Sequence, residues 1–206
     1  MGAVVCECCK NDTLRGIVRI CPLCRHEVAK SDVKCQNCAL PCAEILAAGW
    51  RTGWLGHLIG EYKMQSVRAA KSVLVEVLDT AVTQSSMIGN NIVVIPLPTI
   101  RRHVRERGFD HTAVIAKNLA KRHGWKMVRI LGRAKDSVQV GSSKSQRKIQ
   151  AKNAYELLID PDLDVKYLLV DDIWTTGASM LAAIEILTQA GVLKEQIFGT
   201  VIAVSK

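Results

Sequence analysis

Short apolar runs alternate along the chain with longer amphipathic stretches. The apolar runs lie at 92–95, 126–131, 167–170 and 196–204. Each run is short and rich in Val, Ile or Leu, as expected of a strand buried in a parallel sheet. Apolar residues recur at helical spacing over 64–84, 111–123 and 178–190. Because strands and helices alternate, we predict an α/β fold with a parallel sheet flanked by helices.

Proline and glycine mark the ends of these elements. Pro96 and Pro98 end the run that begins at Ile92, and Gly124 and Gly191 end the second and third helices. The arginine-rich segment that follows Pro98 is predicted to be a loop. The polar segment 132–155, which is rich in Gly, Ser, Lys and Arg, is predicted to be a mobile loop.

The length and composition suit one α/β domain and a small additional module. Of 206 residues, 49% are hydrophobic and 23% are charged, as in a globular protein. We expect a Cys-rich module over 1–46 and the α/β domain over 47–206. No apolar run approaches the ~20 residues of a membrane span. The N-terminal stretch lacks an apolar signal core, so we expect a cytoplasmic protein.

The positive charge is concentrated in one part of the chain. Residues 101–152 contain fifteen Lys and Arg against three Asp and Glu, a net charge of +12. Such a block predicts a polyanionic ligand, and phosphate esters, pyrophosphate and nucleic acid all qualify. A solvated basic surface is the alternative interpretation.

All eight cysteines lie within 6–42, and six of them form Cys-x-x-Cys pairs. The pairs are Cys6 and Cys9, Cys21 and Cys24, and Cys35 and Cys38. Two such pairs supply the four thiolates of a closed tetrahedral Zn²⁺ site, whereas disulfides would need an oxidising compartment. We therefore predict structural Zn²⁺. Which pairs combine stays open, and a second, incomplete site could use Cys35, Cys38 and Cys42.

The stretch YLLVDDIWTTGAS, residues 167–179, contains the clearest candidate chemistry. Asp171 and Asp172 end an apolar strand, and a turn rich in hydroxyls leads directly into a helix. The residues of this turn are Thr175, Thr176, Gly177, Ala178 and Ser179. Free N–H groups and a positive helix end suit a phosphate, and carboxylates suit ribose hydroxyls. The pattern predicts a ribose 5-phosphate site; a capped helix with solvated aspartates is the alternative.

VDDIWTTGAS also resembles the phosphoribosyl pyrophosphate (PRPP) signature of type I phosphoribosyltransferases. Further segments resemble, in order, the landmarks of the ComF family: CPLC, GHLIGEYKM, VVIPLP, RERGFDHTAVIAKNLA and GRAKDSVQVGSSKSQRKIQAKNAY. Members of this family join an N-terminal zinc-finger module to a phosphoribosyltransferase domain and are linked to DNA uptake in natural competence. Asp110 and His111 stand where the family usually has Asn-Gln, and Trp174 is bulky for its position.

The resemblance implies that a nucleophile displaces pyrophosphate from C1 of PRPP, with Mg²⁺ bridging pyrophosphate and ribose oxygens. Asp171 and Asp172 would be the catalytic carboxylates that hold the ribose hydroxyls. Residues 175–179 would bind the 5′-phosphate. The candidate pyrophosphate-binding residues are Leu97, Pro98, Thr99, Arg101, Arg102, Arg133 and Arg147.

Three functions remain open at this point. The first is a phosphoribosyltransferase whose acceptor the sequence does not reveal. The second is a non-catalytic accessory that binds single-stranded DNA within the competence DNA-uptake machinery. The third is a PRPP sensor that binds without turnover. The sequence offers no clear general base, and His111 is interpreted as a residue near a helix start.

Overall fold

A computed structural model describes residues 41–64, 70–87, 89, 91–134 and 155–205, together with isolated residues before position 41. Most of the predicted zinc ligands and Arg147 lie outside these ranges. Within the described residues, eight strands are present. They are β1 (Val18–Arg19), β2 (Glu44–Ala47), β3 (Ile92–Pro96), β4 (Lys126–Met127), β5 (Leu131–Arg133), β6 (Tyr155–Leu157), β7 (Lys166–Trp174) and β8 (Ile197–Val204).

Six of these strands form one sheet in the order β1-β2-β8-β7-β3-β4. Five neighbouring strands of this sheet, in the order β2-β8-β7-β3-β4, pair in parallel. The edge strand β1 pairs antiparallel with β2. The two other described strands, β5 and β6, form a separate antiparallel sheet. The predicted α/β fold with a parallel sheet is therefore confirmed.

Five α-helices accompany the sheet in the described ranges. They are α1 (Gly53–Met64), α2 (Ala70–Thr83), α3 (Arg101–Arg107), α4 (His111–His123) and α5 (Ala178–Gln189). Gly124 ends α4 in a left-handed conformation, as its position in the sequence predicted. The segment after Pro98 was predicted to be a loop, and this prediction is wrong because α3 forms there. α3 has no buried residue, so it lacks the apolar periodicity that would have indicated a helix.

Two hydrophobic cores lie on the two faces of the sheet. Leu168 and Val170 of β7 pack with α1, α2 and α4, whereas Tyr167 and Leu169 pack with α5, as strand alternation requires. The alternation breaks at the end of β7. Ile173 packs with the first core, and Trp174 returns to the core of α5. Asp171 and Asp172 therefore directly precede the point in β7 at which side chains stop alternating regularly between the two faces of the sheet.

The cysteines are only partly described. Cys6 and Cys24 lie within the described residues, whereas Cys9, Cys21, Cys35 and Cys38 lie outside them. Cys42 is buried beside β2, and its thiol donates to the carbonyl oxygen of Glu44 at 3.8 Å. Structural Zn²⁺ therefore stays a prediction. None of the helices in the described ranges is long and apolar enough to cross a membrane.

Candidate functional site

The candidate site lies at the carboxyl ends of β3 and β7, which are neighbours in the sheet. Pro96 pairs with Val170, and the Leu97 N–H donates to the Val170 carbonyl oxygen at 2.9 Å. The loops that follow the two strands therefore leave the sheet at the same edge, where ligands bind in open α/β folds. The predicted ribose-phosphate and pyrophosphate segments are neighbours for this reason.

The loop after β7 presents the N-terminus of α5. Gly177 is the N-cap residue of the helix, has φ +75° and carries no side chain that could cap it. The Thr176 hydroxyl accepts from the Ala178 N–H at 3.3 Å, and the Leu181 N–H donates to the Gly177 carbonyl oxygen at 2.9 Å. The first turn of a helix leaves N–H groups without intrahelical acceptors. The loop therefore provides N–H and hydroxyl donors at a positive helix end, which suits a phosphate.

Trp174 packs directly against this loop. Its side chain is buried, and a Cβ added to Gly177 would lie 2.0 Å from the Trp174 Cζ2 atom. The cavity between the loop and β7 is about 30 Å³ in volume. Within the described residues, the buried Trp174 Nε1 atom has no hydrogen-bond partner. The loop is therefore closed onto the indole ring in this structure.

Asp171 lies on the loop side of β7 and lines the same small cavity. Burial and the neighbouring Asp172 carboxylate raise the pKa of Asp171 from 3.8 to about 8. One Asp171 carboxylate oxygen accepts from the Asp172 N–H at 2.8 Å. Near neutral pH this side chain is thus largely protonated, and it can both donate and accept hydrogen bonds.

Asp172 has different partners, on the α1 and α4 side of the sheet. Its Oδ2 atom contacts both the Lys63 ammonium of α1 and the His111 Nε2 atom of α4. Burial by itself would raise the pKa of Asp172, but the His111 hydrogen bond and the Lys63 charge outweigh it and lower the pKa to about 2. Asp172 is therefore a carboxylate under physiological conditions, unlike Asp171.

The His111 ring is held by hydrogen bonds on both nitrogens. Arg107 can only donate, so His111 Nδ1 accepts from Arg107 at 3.1 Å. The proton of the neutral ring is then on Nε2, which donates to Asp172. The Tyr62 hydroxyl donates to the His111 carbonyl oxygen at 3.1 Å. His111 therefore has no free lone pair with which to act as a base.

The loop after β3 and the first turn of α3 line a larger cavity of about 520 Å³. We call it the arginine cavity because four of its lining residues are arginines. They are Arg101, Arg105, Arg129 and Arg133. Asp110 also lines it and accepts from the Thr99 hydroxyl at 3.0 Å. Four guanidinium groups against one carboxylate suit a multiply charged anion such as pyrophosphate.

Tyr155 connects the arginine cavity to the loop after β7. Arg133 and Tyr155 are paired across β5 and β6, and the Arg133 guanidinium lies 5.7 Å from the centre of the Tyr155 ring. The Tyr155 hydroxyl in turn lies near Ser179, whose interaction with it opposes the rise in the Tyr155 pKa. Burial raises the pKa of Tyr155, so the hydroxyl stays protonated. The two halves of the site are thus joined by one chain of contacts.

The predicted site residues fall into separate groups. Asp171 and residues 175–179 meet around the small cavity, while Pro98, Thr99, Arg101 and Arg133 meet at the arginine cavity. Leu97 is buried in the second core, and its N–H is used within the sheet. Arg102 is exposed and pairs with Glu106 at 2.7 Å. Arg147 lies outside the described residues.

Several residues of the candidate site were not among the site residues predicted from the sequence. They are Lys63, Arg105, His111, Arg129 and Tyr155. Lys63 and His111 come from helices that are far from Asp172 in the chain, so no local spacing links them. Arg105 lies one turn after Arg101 on α3, but this spacing carries information only once the segment is known to be a helix.

Three comparisons with known proteins were made, and the comparison with solved structures finds matches. No family model and no curated protein matches the chain. Among solved structures, the chain is similar to an adenine phosphoribosyltransferase from Thermoanaerobacter pseudethanolicus ATCC 33223, with 14% sequence identity and a TM-score of 0.41. The match covers 69% of this chain and 83% of the other.

Proposed function

We propose that this protein binds PRPP or a related ribose phosphate and transfers the phosphoribosyl group to an acceptor. The main support is the junction of two anion sites at one sheet edge. The α5 N-terminus offers donors for a phosphate beside Asp171, and the arginine cavity offers four guanidinium groups. Arg133 and Tyr155 connect them. A pentose that carries a phosphate at one end and a diphosphate at the other matches this arrangement.

In the proposed reaction, the bond between C1 and a pyrophosphate oxygen breaks, and an acceptor nitrogen forms the new bond to C1. The acceptor releases a proton to solvent, and pyrophosphate leaves with the electron pair of the broken bond. Positive charge develops on the sugar ring, as in glycoside cleavage. The Asp172 carboxylate stabilises this positive charge, and the guanidinium groups of Arg101, Arg129 and Arg133 stabilise the negative charge of the leaving pyrophosphate.

Mg²⁺ fits this arrangement as an ion that comes with the diphosphate. Its preferred ligands are oxygens, and pyrophosphate and ribose oxygens would supply most of them, with Asp171 as the neighbouring carboxyl group. When bound, Mg²⁺ neutralises part of the charge on the leaving pyrophosphate. The chain's own residues orient the sugar and hold the diphosphate beside β3.

Calorimetric titration with PRPP in the presence of Mg²⁺ tests the binding step. We expect saturable 1:1 binding to the wild-type protein. In the double variant Asp171→Ala, Asp172→Ala, we expect binding to weaken at least 100-fold, because both carboxyl groups at the end of β7 are removed. Unchanged PRPP affinity in this variant, in protein that unfolds at the wild-type temperature, would contradict the proposal.

Release of pyrophosphate across a panel of nitrogen nucleophiles then separates transfer from sensing. Tight PRPP binding without release for any acceptor would favour a sensor, which is consistent with His111 having no free lone pair. The single-stranded DNA alternative predicts strong salt dependence and no effect of the double aspartate variant. The proposed role in DNA uptake, which comes from the sequence resemblance, is tested by the transformation frequency of cells that carry the same double variant.

A further inference from the structure

The proposed reaction uses the Asp172 carboxylate but gives no role to Lys63 and His111, which contact it in a buried network. Side-chain exposure is 19% for Lys63, 12% for Asp172 and 5% for His111. Both donors contact the same oxygen, Oδ2. Removing three such polar groups from water is costly, and it is tolerated only when hydrogen bonds compensate.

The network is fixed from several sides. Tyr62 is buried, and it holds the backbone of His111 at the start of α4, while Arg107 of α3 holds the ring at Nδ1. Lys63 follows Tyr62 directly in α1. Helices α1, α3 and α4 therefore all determine where the carboxylate lies, which is the arrangement expected of a preorganised site.

One oxygen of Asp172 remains available for a ligand. In the described part of the chain, no residue bonds to Oδ1, so this oxygen can accept from a hydroxyl group of a bound molecule. Asp172 follows Asp171, which lines the phosphate loop. A sugar whose phosphate lies at the α5 N-terminus would thus have its hydroxyls near both carboxyl groups.

On the basis of the proposed function, we infer that His111 and Lys63 are positioning residues that fix Asp172 for the ring hydroxyls, so that the site discriminates ribose 5-phosphate from its deoxy analogues. A hydroxyl that donates to a fixed carboxylate contributes a charge-assisted hydrogen bond. Its loss weakens binding by about 10- to 100-fold. This selectivity depends on residues from α1 and α4 that do not touch the sugar.

The experiment measures affinities for ribose 5-phosphate and for the 2-deoxy and 3-deoxy analogues. In the wild-type protein, we expect at least one analogue to bind about 10-fold more weakly or worse. In His111→Leu and in Lys63→Met, we expect the discrimination to fall to within about 3-fold. His111→Gln keeps an N–H donor that can reach Asp172, so it should retain most of the discrimination.

The His123 and Asp79 pair supplies a matched control on the same helix. His123 Nε2 lies 2.5 Å from Asp79 Oδ1, and the position is twelve residues after His111, or about 18 Å along α4. His123→Leu removes a comparable His–Asp contact away from the site. It should lower the thermal unfolding temperature and leave the ribose discrimination unchanged.

The outcomes distinguish a failure of the proposed function from a failure of this inference. Failure of both PRPP and ribose 5-phosphate to bind the wild-type protein would overturn the proposed function and this inference together, whereas PRPP binding without ribose 5-phosphate binding would overturn only the inference. Binding without discrimination, or discrimination that survives in both His111→Leu and Lys63→Met, would overturn only the inference. Loss of discrimination in His123→Leu would also overturn it. If His111→Leu does not fold, Lys63→Met gives the result.

Discussion

Gly177 is constrained at the residue scale by both its backbone and its neighbour. Its φ of +75° is unfavourable for a residue with a side chain, and a Cβ would lie 2.0 Å from the Trp174 ring. Gly108 has the same φ of +75°, but nothing lies within 4 Å of its Cβ position. A comparison of alanine substitutions at the two glycines therefore distinguishes the effect of backbone strain from that of a steric clash.

We expect Gly108→Ala to lower the free energy of unfolding by about 1 kcal/mol, the cost of a left-handed alanine. Gly177→Ala should lower it by about 1–3 kcal/mol more, because the Trp174 ring must also shift. Urea unfolding of both variants measures the difference. Equal losses in the two variants would show that the ring moves aside freely.

Asp171 should make the stability of the protein depend on pH. Between about pH 4 and pH 8, its carboxyl group is ionised in the unfolded chain and protonated in the folded protein. The folded state then binds more protons, so the free energy of unfolding falls as pH rises through this window. Asp171→Asn cannot titrate and should show a smaller fall. Urea unfolding at pH 5 and pH 8 gives the comparison, and parallel profiles would contradict it.

Asp172 acts in another pH window. Its pKa is lowered to about 2, so its stabilising contribution is complete above about pH 4 and is lost as pH falls toward 2. We expect Asp172→Asn to be less stable than the wild-type protein at pH 6 and to approach it at pH 2. Thermal unfolding at the two pH values measures this convergence. A constant difference would show that the contacts with Lys63 and His111 do not depend on charge.

At the scale of elements, Asp110 determines where α4 begins. Its Oδ1 atom accepts from the Ala113 N–H at 3.2 Å and from the Thr99 hydroxyl at 3.0 Å. Asp110→Ala should lower the free energy of unfolding by about 1 kcal/mol because the helix loses its N-cap. Asp110→Asn keeps an acceptor and should lose less. The two variants are compared by urea unfolding, and a larger loss in Asp110→Asn would contradict the capping role.

The elements that the sequence predicted well are those with a strong local pattern. β3, α4 and α5 each combine an apolar pattern with a proline or glycine end signal, β7 and β8 are short apolar runs, and the structure contains all five. α3 could not be found in this way, because its seven residues are mainly charged and none is buried. Residues 171–179 could be proposed as a site from the sequence because they are adjacent in the chain. The contacts of Lys63 and His111 with Asp172 depend on helix packing, which no local pattern encodes.

The distribution of arginines matters at the scale of the whole molecule. The net charge of +12 over 101–152 indicated an anion-binding region but not which side chains face it. The structure directs Arg133 into the arginine cavity and Arg102 toward solvent and Glu106. Charge alone could not distinguish them, because the direction of a side chain depends on the helix or strand that carries it.

Binding of inorganic pyrophosphate should therefore respond differently to two arginine variants. Arg133→Met removes a guanidinium from the cavity, and we expect the affinity to fall about 10-fold or more. Arg102→Met should change the affinity by less than about 2-fold, since an exposed i,i+4 pair contributes little. Calorimetry at low ionic strength measures both. Equal effects would favour a diffuse basic surface over a defined cavity.

The packing of Trp174 against Gly177 also has a kinetic consequence. A space of about 30 Å³ holds roughly one water molecule, and a phosphate group needs more room. We expect a phosphate that fills this space to require the turn to open, and the observed association rate should then level off at high ligand concentration at the opening rate. Stopped-flow tryptophan fluorescence with ribose 5-phosphate would reveal this ceiling. A strictly linear increase would mean that the turn opens faster than the ligand arrives.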